Sequence, residues 1–304
     1  MQNAFSSQKR IKNPVSDKMF YGVSYLILFV FILTILYPLV YVVSASFSSG
    51  IAVSTGQVVL WPVDFSIEGY KAVFSHKNIL TGYRNTLFYT VAGTCINVAM
   101  TMIAAYPLSR PDMQWKRFYS LLFTFTMFFS GGLIPSYILI TQLHMVNTVW
   151  AILIPGALSV YNMIVARTFI ASNIPKELLE SAQIDGCSDV RYFFTMVLPL
   201  SKAVIAVITL FYAVGHWNSY FSAMIYLSDP ELKPLQLILR DILIQNQLQS
   251  NEFSKGADLL TERQNLADQL KYALIVVSSV PIILLYPFVQ KFFIKGVMIG
   301  SVKG

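Results

Sequence analysis

Residues 22–46 read GVSYLILFVFILTILYPLVYVVSAS and contain no charged side chain. A run of that length and apolarity crosses about 30 Å of hydrocarbon as a helix. Five comparable stretches follow, near residues 85–109, 118–141, 149–171, 197–227 and 272–293. Lipid offers no partner to a backbone N–H or C=O group, so such segments are expected to be helical. The stretch at 197–227 is longer than one span needs, which implies tilt, a kink or extension beyond the bilayer. With 55% hydrophobic and 12% charged residues among 304, the chain has more apolar surface than one soluble core can bury. The expected class is an all-α polytopic membrane protein with six transmembrane helices.

Charge placement sets an orientation. If the N-terminus is inside, 14 of the 22 Lys and Arg residues fall on inner segments and 8 on outer ones, which favours both termini on the cytoplasmic side. The net charge of +7 is thereby explained by topology rather than by nucleic-acid binding. No small-residue cleavage site follows a short apolar core at the N-terminus, so no removable leader is expected. Cys95 falls in the second span and Cys187 in an inner loop, a placement that argues against pairing. His76, His144 and His216 show no metal-ligand spacing.

Three regions are expected: a polar N-terminal tail at 1–20, a six-helix domain at 21–294 and a C-terminal tail at 295–304. The external loop at 47–84 carries LWPVDFSIEGYKAVF, whose aromatics suit a membrane interface. Two longer connections stand out, an internal one at 172–196 and an external one at 228–271. In the external one Leu235, Ile238, Leu239 and Ile242 recur at helical spacing, an amphipathic helix that either caps the bundle or docks an outside partner. Gly131, Gly132 and Pro135 interrupt the third span.

What the chain lacks narrows the function. No Asp, Glu, Lys or Arg lies in the middle of a proposed span, so the ionisable relay of an ion-coupled pump is missing. There is no Gly-Lys dipeptide and hence no phosphate-cradling loop of the G-x-x-x-x-G-K-[ST] kind. No nucleophile, base and orienting group can be assembled, so the chain is not expected to be an enzyme.

The internal connection reads SNIPKELLESAQIDGCSDVRYFFTMVLP, Ser172 to Pro199. Pro175 suits the first turn of a helix, and Glu177 and Glu180 suit its positive end. Leu178, Leu179 and Ala182 make a narrow apolar stripe, and Gly186 can supply a left-handed stop. Ser188 then caps a second short helix, with Asp189 in its first turn. Such a helix–turn–helix is too small for a core and too ordered for a linker. It has the build of a knob for a cytosolic partner.

The run ESAQIDG, Glu180–Gly186, followed by Leu198 and Pro199, resembles the EAA loop of bacterial ABC importer permeases. AYPLSR (Ala105–Arg110), WNSYF (Trp217–Phe221) and KGVMIGSVKG (Lys295–Gly304) resemble the carbohydrate-uptake branch, relatives of the maltose transporter's permeases. FFSGGLIPSY (Phe128–Tyr137) is similar to a segment of oligosaccharide-importer permeases within that branch. Ser181 and Cys187 depart from the usual Ala at those positions, but both are small. The resemblance implies the type I importer permease fold with a cytoplasmic coupling helix, in a bacterial cell membrane. Glu180, Ser181, Ala182, Asp185, Gly186, Leu198 and Pro199 would couple to the ATPase, and Gly300, Val302, Lys303 and Gly304 would reach it from the tail.

The resemblance further implies a second, non-identical permease, two ATPase subunits and an extracellular solute-binding protein as partners, besides membrane lipid. ATP and Mg²⁺ would bind the partner ATPase, with no cofactor in this chain. For the sugar or oligosaccharide, the sequence offers one stripe of Trp217, Tyr220, Phe221 and Met224, and another of Gly215, Asn218 and Ser222. Aromatic faces with directed hydrogen bonds suit a sugar. Asn218, Trp217, Tyr220, Phe221, Tyr137 and Asn162 are therefore the candidate cavity residues, with helix packing as the competing role. The aromatic stripe, with no intramembrane charge beside it, argues against a charged solute. Other readings are a permease for peptides or amino acids, an ion-coupled secondary transporter, or an assembly or sensor subunit.

Overall fold

The computed structural model of the chain describes residues 15–75, 77–251 and 267–284, which form helices and turns with no strand among them. The first helices are α1 (Val15–Ser46), α2 (Gly50–Ser54), α3 (Glu68–Ser75), α4 (Ile79–Ser109), α5 (Lys116–Phe128), α6 (Leu133–Gln142) and α7 (Trp150–Leu153). Then come α8 (Val160–Asn173), α9 (Lys176–Ile184), α10 (Asp189–Tyr192), α11 (Leu198–Leu200), α12 (Lys202–Trp217), α13 (Phe221–Tyr226), α14 (Leu235–Asn251) and α15 (Ala267–Leu284). The chain divides into two units, Met1–Gly69 with Gly256–Val276, and Tyr70–Lys255 with Val277–Gly304.

In the first unit, α1 stands with its long apolar side chains exposed, as a helix facing lipid or another subunit must. Below it a small core of Ala45, Ala52, Val53 and Val58 forms because serines fold the chain back on itself. Ser44 Oγ donates to the Leu60 carbonyl at 2.6 Å, and the Val63 N–H donates to Ser48 Oγ at 3.1 Å. The start of α15 closes this core: Gln269 donates to the Ser66 carbonyl at 3.2 Å, and Tyr272 meets Tyr41 edge-on at 5.7 Å. Trp61 and Phe65 stay exposed, in keeping with an interfacial loop.

The second unit is organised on α4, whose 31 residues extend about 46 Å. Its Thr86, Thr90, Thr94, Asn97 and Thr101 recur every three or four residues and are all buried. Polar groups facing lipid are costly, and small ones let helix backbones close together, so this stripe turns inward. Tyr212 of α12 lies across it, its hydroxyl 2.7 Å from Thr101 Oγ1 and accepting the Ser159 N–H at 3.0 Å. One core joins Met102, Ala105 and Leu108 of α4 to Met163, Ala166 and Ile170 of α8 and to Val204 and Ile208 of α12.

The N-terminal half of α4 also seats α14. Leu235, Ile238, Leu239 and Ile242 are buried, so the amphipathic stripe caps the chain's own bundle. Asn85 Nδ2 donates to the Glu231 and Lys233 carbonyls at 2.6 and 3.0 Å, and the Leu235 N–H donates to Thr86 Oγ1 at 2.8 Å. Gly82 makes room, since a Cβ there would lie 2.7 Å from Ile238 Cδ1.

The span pattern departs from six continuous helices. Among the described residues three helices are long and apolar enough to cross a membrane, and two bent pairs raise the number to five if each pair is one span. The expected span at 149–171 is divided: α7 ends at Leu153, the chain turns through Pro155 and Gly156, and Ser159 caps α8. Hydropathy measures transfer into lipid, not helix continuity, and Pro155 removes a backbone donor. At the third span the expected break occurs, with α5 and α6 meeting at 111°. Gly132 there has φ +85° and ψ −179°, a region open essentially to glycine alone. The over-long fifth stretch is bent by 80° between Asp189–Leu200 and Lys202–Trp217. Ahead of that bend, Phe193–Val197 widens to a π turn. Pro199 in an α-helix would crowd the carbonyl four residues back, and the wider turn relieves it. Residues 285–293 of the sixth stretch lie outside the described residues.

Candidate functional site

The segment after α8 folds as a knob with two faces. Pro175 takes the cap position, one residue before the helical turn in which the sequence placed it. Leu178, Leu179 and Ala182 of α9, with Cys187 beyond it, pack against the main core. Glu180, Ser181, Asp185 and Gly186 face outward, beside Ile184 and Val190, which are 86% and 67% exposed. The turn is held by a paired hydrogen-bond motif: the Gly186 N–H donates to the Gln183 carbonyl at 3.0 Å, and the Cys187 N–H to the Ala182 carbonyl at 2.9 Å. Gly186 has φ +73°, the left-handed value this motif requires. Ser188 Oγ then accepts the Arg191 N–H at 3.4 Å and starts α10.

Arg110, at the end of α4, ties this knob to the bundle. It is ion-paired to Asp112 and to Asp189 of α10, and it donates to the Tyr106 hydroxyl at 3.2 Å. Those bonds, chiefly the one to Asp112, push the guanidinium further above its ordinary pKa, against burial. Lys116 Nζ donates to the Arg110 carbonyl at 2.9 Å and closes the turn. Leu198 packs behind the knob and Pro199 lies at the kink, so neither belongs to the exposed face of α9. The knob hangs from the C-terminal end of α4, whereas α14 sits on its N-terminal half.

Between α4, α6, α7, α12 and α13 lies a cleft of about 450 Å³. Asn97, Phe211, Tyr212, Gly215, His216, Ser219, Ser222 and Tyr226 line it, with Ser136 and Gly156. No Asp, Glu, Lys or Arg is among the described lining residues. His216 rests directly on Gly93, where a Cβ would lie 2.4 Å from its Nε2. Asn97 Nδ2 donates to the Gly156 carbonyl at 2.8 Å, and Asn97 Oδ1 lies 3.4 Å from His216 Nε2.

None of the six residues expected to hold the solute lines this cleft. Asn218 is exposed at the end of α12 and turns back to its own helix, donating to the Val214 carbonyl at 2.9 Å. Trp217 is buried and donates to the Ser278 carbonyl at 3.0 Å. Tyr220 and Phe221 are exposed and meet edge-on. Tyr137 stacks on Tyr226, one layer outside the cleft, at 6.0 Å, and Asn162 is buried in the first turn of α8. The physical reason is a single-position shift: the lining stripe runs through Tyr212, Gly215, Ser219, Ser222 and Tyr226 and passes over Asn218. Gly215 and Ser222 were on the expected polar face. Asn97 and His216 were not, because only packing brings residues 119 apart together. Gly300, Val302, Lys303 and Gly304 lie outside the described residues.

Residues 79–299 match the family described as "Binding-protein-dependent transport system inner membrane component". Over 295 residues the chain is 39% identical to the "Polygalacturonan/rhamnogalacturonan transport system permease protein YtcP" of Bacillus subtilis (strain 168), covering 97% of this chain and 100% of that protein. It is 38% identical over 267 residues to "Protein LplC" of the same organism, covering 88% of this chain and 89% of that one. Among solved structures, a bacterial ABC transporter involved in the import of the acidic polysaccharide alginate contains a chain that superposes with a TM-score of 0.80 at 34% identity. That match covers 96% of this chain and 100% of the other.

Proposed function

This chain belongs to the family of binding-protein-dependent transport system inner membrane components, and from that premise we propose that it is half of the translocation pathway of a sugar or oligosaccharide importer. It is a membrane permease subunit and not an enzyme. Its work is to enclose the solute path and to respond to ATP hydrolysis performed elsewhere.

The observation that carries the reading is the two-faced knob. Leu178, Leu179, Ala182 and Cys187 bind it to the core, while Glu180, Ile184, Asp185 and Gly186 remain exposed at the end of α4 remote from α14. Glu180 offers a carboxylate, Ile184 an apolar contact and Gly186 a close approach to a cytosolic ATPase subunit. Motion of α9 and α10 passes through the Asp189–Arg110 pair to α4, one of the helices that line the cleft. Each of two ATPase subunits, holding ATP and Mg²⁺, would grip one such knob, the second belonging to a non-identical permease. An extracellular binding protein would deliver the solute at the α14 end, with both termini in the cytoplasm. In the cleft, Phe211 and Tyr226 provide ring faces, and Asn97, Ser219 and Ser222 provide hydrogen-bonding edges, the mixture a glycan needs.

The test is oligosaccharide uptake by cells lacking this chain, complemented with wild type or Glu180→Lys. Wild type should restore uptake; Glu180→Lys should reach the membrane at a normal level without restoring it. Full uptake by Glu180→Lys would remove the coupling role. Restored uptake of peptides but not of glycans would reassign the solute.

A further inference from the structure

We infer that His216 is the specificity-determining residue of the cleft and that it receives the carboxylate of an acidic sugar, a uronate unit, as the chain passes. The inference rests on the carbohydrate reading above and narrows it.

Three observations carry it. The first is that the imidazole has a built seat. Gly93 leaves the space it occupies, and even a methyl group there would collide with the ring at 2.4 Å. The second is that its hydrogen-bonding is set by a neighbour with no freedom of its own. Asn97 Nδ2 is committed to the Gly156 carbonyl, so Oδ1 is the atom left to accept, and Nε2 is the nitrogen that carries the hydrogen. Nδ1 makes no hydrogen bond among the described residues and is the ring's open position. The third is that the described lining residues carry no fixed charge of either sign: the other titratable ones among them are Tyr212 and Tyr226. Tyr212 is occupied by Thr101 and the Ser159 N–H.

A carboxylate entering such a space loses water and needs an N–H donor or a cation in return. Among the described lining groups His216 is the one that supplies both: as an imidazolium it keeps the Nε2 hydrogen toward Asn97 and carries a second on the open Nδ1, which donates to the carboxylate. Among the described lining residues no carboxylate repels the solute, and no second cation holds it too tightly to leave. Ser219, one turn further along the stripe, offers a hydroxyl to the same sugar ring. An argument from the absence of intramembrane Asp, Glu, Lys and Arg alone would favour neutral solutes; the half-buried histidine reverses it. Two proteins similar to this chain carry names that specify a galacturonan and the acidic polysaccharide alginate, both polyuronates by their chemistry.

The test uses the complete importer in proteoliposomes, with trigalacturonate and its neutral methyl ester as probes, each at a concentration that saturates the binding protein. Wild type should transport trigalacturonate, and His216→Gln should lower that rate at least tenfold while changing methyl-ester transport less than twofold. Gly93→Ala keeps the imidazole but drives it off its seat, and should reproduce the selective loss with normal complex yield. Equal losses for acid and ester in both variants would make His216 a packing residue and overturn the assignment. Unchanged acid transport in either variant would overturn it as well. If wild type carries neither glycan, the carbohydrate reading fails first and the assignment of His216 falls with it.

Discussion

Gly186 allows the knob to be tested with a built-in control. A Cβ placed there meets no heavy atom within 4 Å, so in this chain alone a side chain has room. The cost of substitution is therefore the backbone's: at φ +73° an L-residue loses about 1–2 kcal/mol relative to glycine. That shifts the balance between formed and frayed turn by about 5- to 30-fold. The loss is local, because the bonds at stake are those from Gly186 and Cys187 to Gln183 and Ala182, and membrane levels should stay near normal. Gly186→Asn should lose least, since asparagine tolerates the left-handed region. Gly186→Ala and Gly186→Trp bear a similar backbone cost, so any gap between them measures what lies against Gly186 in the assembled importer. In an assay of solute-stimulated ATP hydrolysis, the Trp variant should fall at least about 10-fold below the Ala variant, a docking loss of about 1.4 kcal/mol. Equal rates for Ala and Trp would mean that nothing approaches Gly186 closely, and the coupling assignment would be wrong.

Topology can be read with cysteines in a background lacking Cys95 and Cys187. Ser228→Cys should react with an impermeant reagent on intact cells, and Gln183→Cys only after permeabilisation; the reverse pattern would put the knob outside. The Arg110 clasp should respond to acid. The Asp112 carboxyl is held below its ordinary value mainly by the Arg110 guanidinium, with burial opposing. A lowered folded-state pKa stabilises above the usual carboxylate range, near pH 4, and that contribution disappears as pH falls through the lowered value. Hydrogen-exchange protection at residues 110–116, taken relative to the intrinsic rate at each pH, should therefore fall on acidification in the wild type, while Asp112→Asn should show the weaker protection at every pH. An Asp112→Asn variant with the wild-type pH response would place the sensitive group elsewhere.

What could be read from the sequence is what is decided within a few residues. Gly186 as a left-handed stop, Ser188 as a cap and the Leu235–Ile242 stripe are local facts, and the structure keeps each of them. The break at Gly131–Gly132 is of the same kind. The division of residues 149–171 was missed although Pro155 and Gly156 were in view, because an apolar average does not register a lost backbone donor.

The cleft was partly legible for a different reason. A stripe on one helix fixes which residues face the same way but not what they face, and its phase fails where the helix ends. Here α12 ends at Trp217, and the amide of Asn218 folds onto the Val214 carbonyl as its capping bond. A polar side chain at a helix end has its own backbone to satisfy before any solute, whereas one in mid-helix has its backbone already paired. Asn97 stands in mid-helix, and His216, in the last turn of α12, has its carbonyl already taken by the Asn218 and Ser219 N–H groups; the two helices come close enough to meet because Gly93 has no Cβ. In a bundle with no charged residue in the middle of its described spans, the place to look for recognition is therefore the contact where a glycine on one helix admits a polar ring from the next.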